Sequence, residues 1–460
     1  MEKELPMNTK VDLLIKGNLV LPNGVAQNAQ VGVKNGVIVG LYAGDDGPEA
    51  TETIDATEKW IFPGMVDAHV HSYSDPDETF DHATPAAAAG GVTTILEMPY
   101  DSIGKVSTID LFEQKIERIE ARACVDVALL ATLEKDGQLE NVAPLVERGA
   151  IGFKLSLAEA DPVRFPRIED EILWDALRVI GSHGVPVGFH AENDRIINHL
   201  IGRFRKEGKT DPKAHCDSRP PVTETLAVLK LLEMAYWIDV PLHLYHISHP
   251  RSLHLIEQFK EDGVNVTVET CPHYLILTYD DMERLKAYAK INPPMRPRED
   301  VDEMWELLQC GFIDMVTSDH GPWPYDRKQD PNIFNNPSGA PGVETIFPLM
   351  FSEGVVKREM PPALLAQLLC EAPARRFKVF PQKGHIGLGA DADFTIIDPS
   401  VEWTIQAEDM HSHAGWTPFD GMTVNGKVVQ TILRGKTVYD GTRVIADPQY
   451  GQFVPRIDGE

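Results

Sequence analysis

The rhythm of apolar and polar positions changes twice along the chain. Near the N-terminus the two alternate in short runs, as in VDLLIKGNLVLPNG and AQVGVKNGVIVGLYAG, with Asn-Gly pairs between them. Alternation of period two marks half-buried strands, and Asn-Gly marks tight turns. The C-terminal part returns to this pattern in GHIGLGADADFTIID and GMTVNGKVVQTILRGKTVYDG. Two β-rich ends predict one small β-sandwich domain built from residues 1–62 and 386–460. Between them, apolar strand-like runs begin near Phe62, Val92, Val125, Ile151, Val185, Val240, Val264 and Phe312. Most are separated by segments whose apolar residues recur at three and four, among them STIDLFEQKIERIEAR, EDEILWDALRVIGSHG, TETLAVLKLLEMAYW and PRSLHLIEQFKEDG. Strands alternating with helices in this way predict a (β/α)8 barrel over residues 63–385. The first crossover, TFDHATPAAAAGG, leaves room only for a short helix.

Composition narrows the partners. A chain of 460 residues is ample for a barrel and a second domain. Its formal net charge is -27, and it has no basic block. Phosphate-rich partners would be repelled, which argues against nucleic acid and anionic membranes and for a small-molecule partner. The five cysteines are scattered, odd in number and without C-x-x-C spacing, so they read as packing residues. No signal pattern opens the chain and no window approaches a membrane span, so a cytoplasmic location is expected.

In a barrel of this type the chemistry lies where strands end and βα loops begin. The first predicted strand ends in PGMVDAHVHS, with His69 and His71 two residues apart and able to share a face. Lys154 lies in GAIGFKLSL, His190 ends VPVGFHAEN, His246 ends VPLHLYHIS, His273 follows VNVTVETCPHYL, and Asp319 ends FIDMVTSDHGP. Alone, His190 or His246 reads as a buried, hydrogen-bonded histidine, and Lys154 as a salt-bridge partner of Asp319 or Glu192. His320 would face away from its neighbour and reads as structural. His273 could serve the substrate or only its own loop. Ligand types agreeing at the same end of several strands are harder to obtain by accident. A buried lysine is costly as an ammonium. With a lowered pKa it can react with carbon dioxide to give a carbamate, which could bridge two cations. Four imidazoles and two carboxylate-like groups suit two divalent ions, zinc first, with manganese or cobalt as alternatives.

In order, the motifs VDAHVH, GFKLSL, GFHAEN, LYHISH, ETCPHYL, INPPMR and TSDHGP resemble those of the cyclic amidohydrolases, the group of allantoinase, hydantoinase/dihydropyrimidinase and dihydroorotase. The resemblance covers nearly the whole chain. It implies a metal-dependent barrel that opens a ring amide. It casts His69 and His71 as ligands of the more buried ion, and Lys154 as a carboxylated bridge. His190 and His246 become ligands of the second ion, and Asp319 a ligand and general base. It also implies a homotetramer.

Within the group the motifs point most to allantoinases, through GGVTTILEMP, CPHY and the terminal GQF. Tyr73 stands where dihydroorotases have a carboxylate-binding arginine. Gly321 stands where allantoinases have serine, and SGAPGVE is closer to a hydantoinase loop. In this family the polar edge of the ring meets backbone groups on the loops after strands 7 and 8, for which Asn292, Ser338 and Gly342 are the candidates. Tyr73, Glu159 and Trp323 are the candidates for reading the ring's substituent. With Glu159 acidic and no arginine at 73, a carboxylated ring should be disfavoured. The expected activity is hydrolysis of a neutral cyclic ureide, allantoin to allantoate. A hydantoinase/dihydropyrimidinase or cyclic imide hydrolase is the alternative. A non-catalytic assembly protein on the same fold would have lost ligands, and none of the six positions is lost here. A mononuclear deaminase-type enzyme would not need Lys154.

Overall fold

The computed structural model describes residues 10–457. The outer edges expected for the terminal domain, residues 1–9 and 458–460, and with them the start of the chain where a signal pattern would lie, fall outside them. The chain begins with four strands, β1 (Val11–Leu21), β2 (Gly24–Lys34), β3 (Val37–Ala43) and β4 (Ala50–Pro63). Eight barrel strands follow. They are β5 (Met65–Val70), β6 (Val92–Glu97), β7 (Asp126–Leu129), β8 (Phe153–Ser156), β9 (Val187–His190), β10 (Leu242–Leu244), β11 (Val266–Thr270) and β12 (Met315–Val316). The chain then returns with β13 (Phe394–Thr404), β14 (Thr423–Leu433) and β15 (Lys436–Tyr439).

The two termini meet in one seven-stranded sheet of order β15-β14-β13-β4-β1-β2-β3. Its seam is the antiparallel pairing of β4 with β13, Phe62 opposite Thr395 and Ile61 opposite Ile396. Alternation puts Ile15, Val31, Val33, Ile61, Phe394 and Ile432 into a core of their own, separate from that of the barrel. Each such side chain stabilises by about 1.5–3 kcal/mol when fully buried.

The barrel strands form two parallel arcs, β5-β6-β7 and β8-β9-β10-β11-β12. Parallel bridges Val70–His320 and Ala131–Phe153 join the arcs into a ring. Both faces of such strands are covered, which is why they read as continuous apolar runs. The four quoted helical patterns are helices at Ile109–Arg122, Asp170–Ser182, Val222–Ile238 and Pro250–Glu261. The first shows the logic. Phe112, Ile116 and Ile119 are buried on one stripe, and the Thr108 hydroxyl caps the start by accepting the Leu111 N–H. The first crossover does hold a helix, Thr79–Ala89, with Pro85 inside it. Beyond Tyr439 the chain leaves the sheet for the barrel, where Gly451 N–H bonds Ala123 O at 2.8 Å and Phe453 bridges to Val127. No helix among the described residues is long and apolar enough to cross a membrane.

Candidate active site

The barrel strands carry their polar residues mainly towards their C-terminal ends, around a cavity of about 900 Å³. His69 lies in β5 and His71 just beyond it, and their Nε2 atoms are 3.3 Å apart. Asp319, beyond β12, places Oδ1 3.2 Å from His69 Nε2 and 3.7 Å from His71 Nε2. Lys154 Nζ is 3.3 Å from His69 Nε2 and 3.5 Å from the centre of the Tyr245 ring. Across the cavity, His190 Nδ1 is 3.0 Å from His246 Nε2. His246 and Asp319 both adopt left-handed backbone, with φ of 43° and 46°. Non-glycine residues held this way cost of order 1–3 kcal/mol each, and such strain collects at functional sites.

The next layer of partners sets which ring nitrogens are free. Glu269, buried in β11, takes His69 Nδ1 at 2.6 Å and His243 Nε2 at 3.2 Å. That leaves His69 Nε2 as a bare lone pair aimed at Asp319 and His71. Glu192 takes His190 Nε2 at 2.9 Å and is itself held by Arg219 at 2.7 Å. The free atom of His190 is therefore Nδ1, and His246 Nδ1 is buried without a hydrogen-bond partner. Burial pushes His69, His71 and His246 well below the usual histidine range, so these rings are neutral, the form that binds metals. Burial also lowers Lys154 to about 7, and the alternative reading of Lys154, an ion pair with Asp319 or Glu192, is not formed. Asp319 is raised to about 7, again by burial.

These groups fit a divalent cation. Ligating atoms of His69, His71 and Asp319 all lie within 4.8 Å of one another. Their lone pairs converge on one point, and two imidazoles with a carboxylate suit zinc. His190 and His246 supply a second pair of nitrogens across from Lys154.

Of the other predicted residues, Glu159, Asn292, Trp323 and Ser338 line the cavity. Glu159 pairs with Lys135, which neutralises much of the charge expected to repel an anion. Asn292 Oδ1 is buried and unpartnered, whereas the Ser338 carbonyl accepts the Trp323 indole N–H at 2.7 Å. Three expectations need correction. Tyr73 does not line the cavity: its ring packs edge-on to Phe80 with Lys115 and Arg118 about it, because β5 has ended and the turn rotates it inward. His273 is in the short helix Pro272–Ile276, packed on Tyr274 and outside the cavity lining, with Nε2 unpartnered. The amide of Gly342 is already spent on His320 Nδ1 at 3.1 Å.

Sequence reading passed over Glu269 and Arg164. Glu269 was visible in VTVET as an acid at an apolar strand's end. Arg164 lies in an irregular loop that gives no periodic signal, yet its guanidinium lines the cavity 5.5 Å from the Trp323 ring.

A model of the amidohydrolase family matches residues 60–438. An allantoinase of Rubrobacter xylanophilus is 38% identical over 447 residues, covering 96% of this chain and 97% of the relative. An L-hydantoinase of Paenarthrobacter aurescens is 34% identical over 452 residues, 97% and 98% of the two chains. The solved L-hydantoinase (dihydropyrimidinase) from Arthrobacter aurescens superposes with a TM-score of 0.94 at 34% identity, covering 97% of this chain and 100% of that one.

Proposed function

This chain belongs to the amidohydrolase family, and from that premise we propose that it opens a neutral cyclic ureide of the allantoin type with two divalent ions bridged by a carbamate on Lys154. It is a hydrolase of cyclic amides. The observation that carries the fuller reading is the convergence of His69, His71, Lys154, His190, His246 and Asp319 from five different strands on one cavity. His69, His71 and Asp319 would hold one ion, and His190 and His246 the other. With a pKa of about 7, Lys154 has a neutral amine to offer at physiological pH. Its nitrogen would add to the carbon of carbon dioxide and lose a proton, giving a carbamate that could serve both ions. When bound, the ions would polarise the ring carbonyl and lower the pKa of the attacking water.

The chain's own groups do the rest. Water adds to the ring carbonyl carbon, and the Asp319 carboxylate takes its proton. As the C–N bond breaks, Asp319 returns that proton to the leaving ring nitrogen. Glu269 holds His69 in one tautomer and Glu192 does the same for His190, so neither ring turns during the reaction. Asn292, whose Oδ1 has no partner, and the Ser338 backbone would meet a –CO–NH–CO– edge, and Trp323 the substituent.

The hydantoinase reading is second, favoured by the L-hydantoinase relative and by the SGAPGVE loop. Zinc as the ion, a homotetramer and a cytoplasmic location complete the proposal. Metal-loaded protein should be assayed on allantoin, hydantoins, dihydrouracil, dihydroorotate and simple imides. Turnover of allantoin above the other rings supports the first reading and preference for hydantoins the second. Turnover of dihydroorotate alone overturns both.

A further inference from the structure

The family resemblance says nothing of Glu78. Its carboxylate is fully buried ahead of the Thr79–Ala89 helix and has no lysine or arginine against it among the described residues. Its Oε1 lies 3.1 Å from His320 Nε2. Its Oε2 accepts the Ser412 hydroxyl at 3.0 Å and the His413 N–H at 2.8 Å.

The protonation of His320 follows from its neighbours. Nδ1 receives the N–H groups of Gly342 at 3.1 Å and Val343 at 3.4 Å. Backbone amides only donate, so Nδ1 carries no proton. The proton sits on Nε2 and is donated to Glu78. The backbone of His320 is tied just as tightly. Its N–H bonds His69 O at 3.2 Å, and its carbonyl accepts the His71 N–H at 2.9 Å. It also bridges to Ala340. His320 thus holds the segment carrying His69 and His71 on one side and the 338–343 loop on the other. Beyond Glu78 the support comes from the terminal domain, between β13 and β14. There the His411 N–H bonds Glu344 at 2.8 Å and the Trp416 indole bonds Trp323 O at 2.8 Å.

We propose that Glu78 is a positioning residue: by fixing the His320 tautomer it holds the 338–343 loop at the cavity and fastens that loop to the 411–413 turn of the terminal domain. Its effect on substrate rests on the reading of the site given above. Its effect on the loop does not.

Glu78→Gln keeps the shape and removes the charge. Either way round, the amide NH2 faces a donor, His320 Nε2–H or His413 N–H. Exchange of the backbone amides in residues 338–345, followed in the full-length metal-loaded protein, should quicken by about tenfold, the scale set by one unsatisfied buried group. On whichever ring the panel assay selects, KM should rise by about tenfold while kcat stays within about threefold, the pattern of lost ground-state binding. Metal content should not change. Glu78→Asp keeps the charge with a shorter reach, so it should restore most of the protection. If Glu78→Gln does not fold, the tautomer measurement on the wild-type protein decides alone, His320 as the Nε2–H form supporting the proposal and the Nδ1–H form overturning it. A 15N spectrum of histidine-labelled wild-type protein should show His320 as the Nε2–H tautomer. An Nδ1–H tautomer, or unchanged exchange at 338–345 in a folded Glu78→Gln protein, overturns the proposal. Faster exchange with an unchanged KM also overturns it, since the loop would then be held for no purpose at the site. If no ring is hydrolysed, the reading of the reaction fails, and the exchange and tautomer measurements still decide for Glu78.

Discussion

Two clusters among the described residues bring three acidic or imidazole ligating atoms within 4.8 Å of one another. One is His69, His71 and Asp319 at the cavity. The other is Asp126, Asp391 and Asp393, where the start of β7 meets the lead into β13. By distance both could hold a cation. The second already has its cations: Lys383 Nζ reaches Asp126 at 2.6 Å and Asp391 and Asp393 at 2.8 Å each. Arg434 adds its guanidinium to Asp126 and its N–H to Asp393. Three carboxylates face two cations; burial first, and then the neighbouring Asp126 and Asp391, push Asp393 upward. The carboxylates hold Lys383 well above the usual lysine range, in its charged form. At the cavity the amine goes the other way: Lys154 falls to about 7, the rings of His69 and His71 fall with it, and Asp319, like Asp393, rises, to about 7. Closeness of ligands is therefore not the signature of a metal site. Ligands pushed towards neutrality, beside an amine pushed the same way rather than held charged, are the better one.

Removing one amine from each cluster should have opposite consequences. Lys154→Ala should cost activity by roughly 10⁴-fold or more, because the ligands act as a unit, and should release metal while the chain stays folded. Activity and metal content should recover in part with a short-chain acid and bicarbonate. Asp319→Asn comes next, with a fall of about 10²–10⁴ from the lost proton transfer alone, substrate still binding. Lys383→Met should leave kcat per folded molecule unchanged and lower stability by about 3–5 kcal/mol, the usual cost of stranding a buried ion-pair partner. Denaturant titration against kinetics separates these outcomes. A Lys383→Met protein that lost activity without losing stability would erase the distinction.

The smallest effect concerns pH. A group whose pKa is raised on folding stabilises fully below its unfolded value, about 10.4 for lysine, and loses that contribution only as pH climbs through the folded value. Lys383 is such a group. The stability gap between wild type and Lys383→Met should therefore be the same at pH 6 and pH 9. A gap that shrinks markedly by pH 9 would mean that the carboxylates do not hold the charge.

The contrast also bears on what sequence reading can reach. The six ligand positions were legible because each ends or follows an apolar run, and the barrel topology then gathers them. Tyr73 was misplaced by extending the period-two rule beyond Val70, where the strand stops. Gly342 is claimed by His320, a contact between two loops that neither local pattern encodes. The Asp126 cluster joins residues 257 and 308 positions apart, through Lys383 and Arg434, and only the docking of the two domains brings them together. Pairing of Glu159 with Lys135 was equally invisible, and it weakens the electrostatic case against an anionic ring.

The most direct test is an anomalous diffraction experiment at the zinc edge on crystals of the zinc-loaded protein. The account predicts two peaks inside the cavity, one among His69, His71 and Asp319 and one at His190 and His246, with carbamate density on Lys154 between them. It predicts none at Asp126, Asp391 and Asp393. A peak at the aspartate cluster, or a free ammonium on Lys154 beside a filled site, would contradict it.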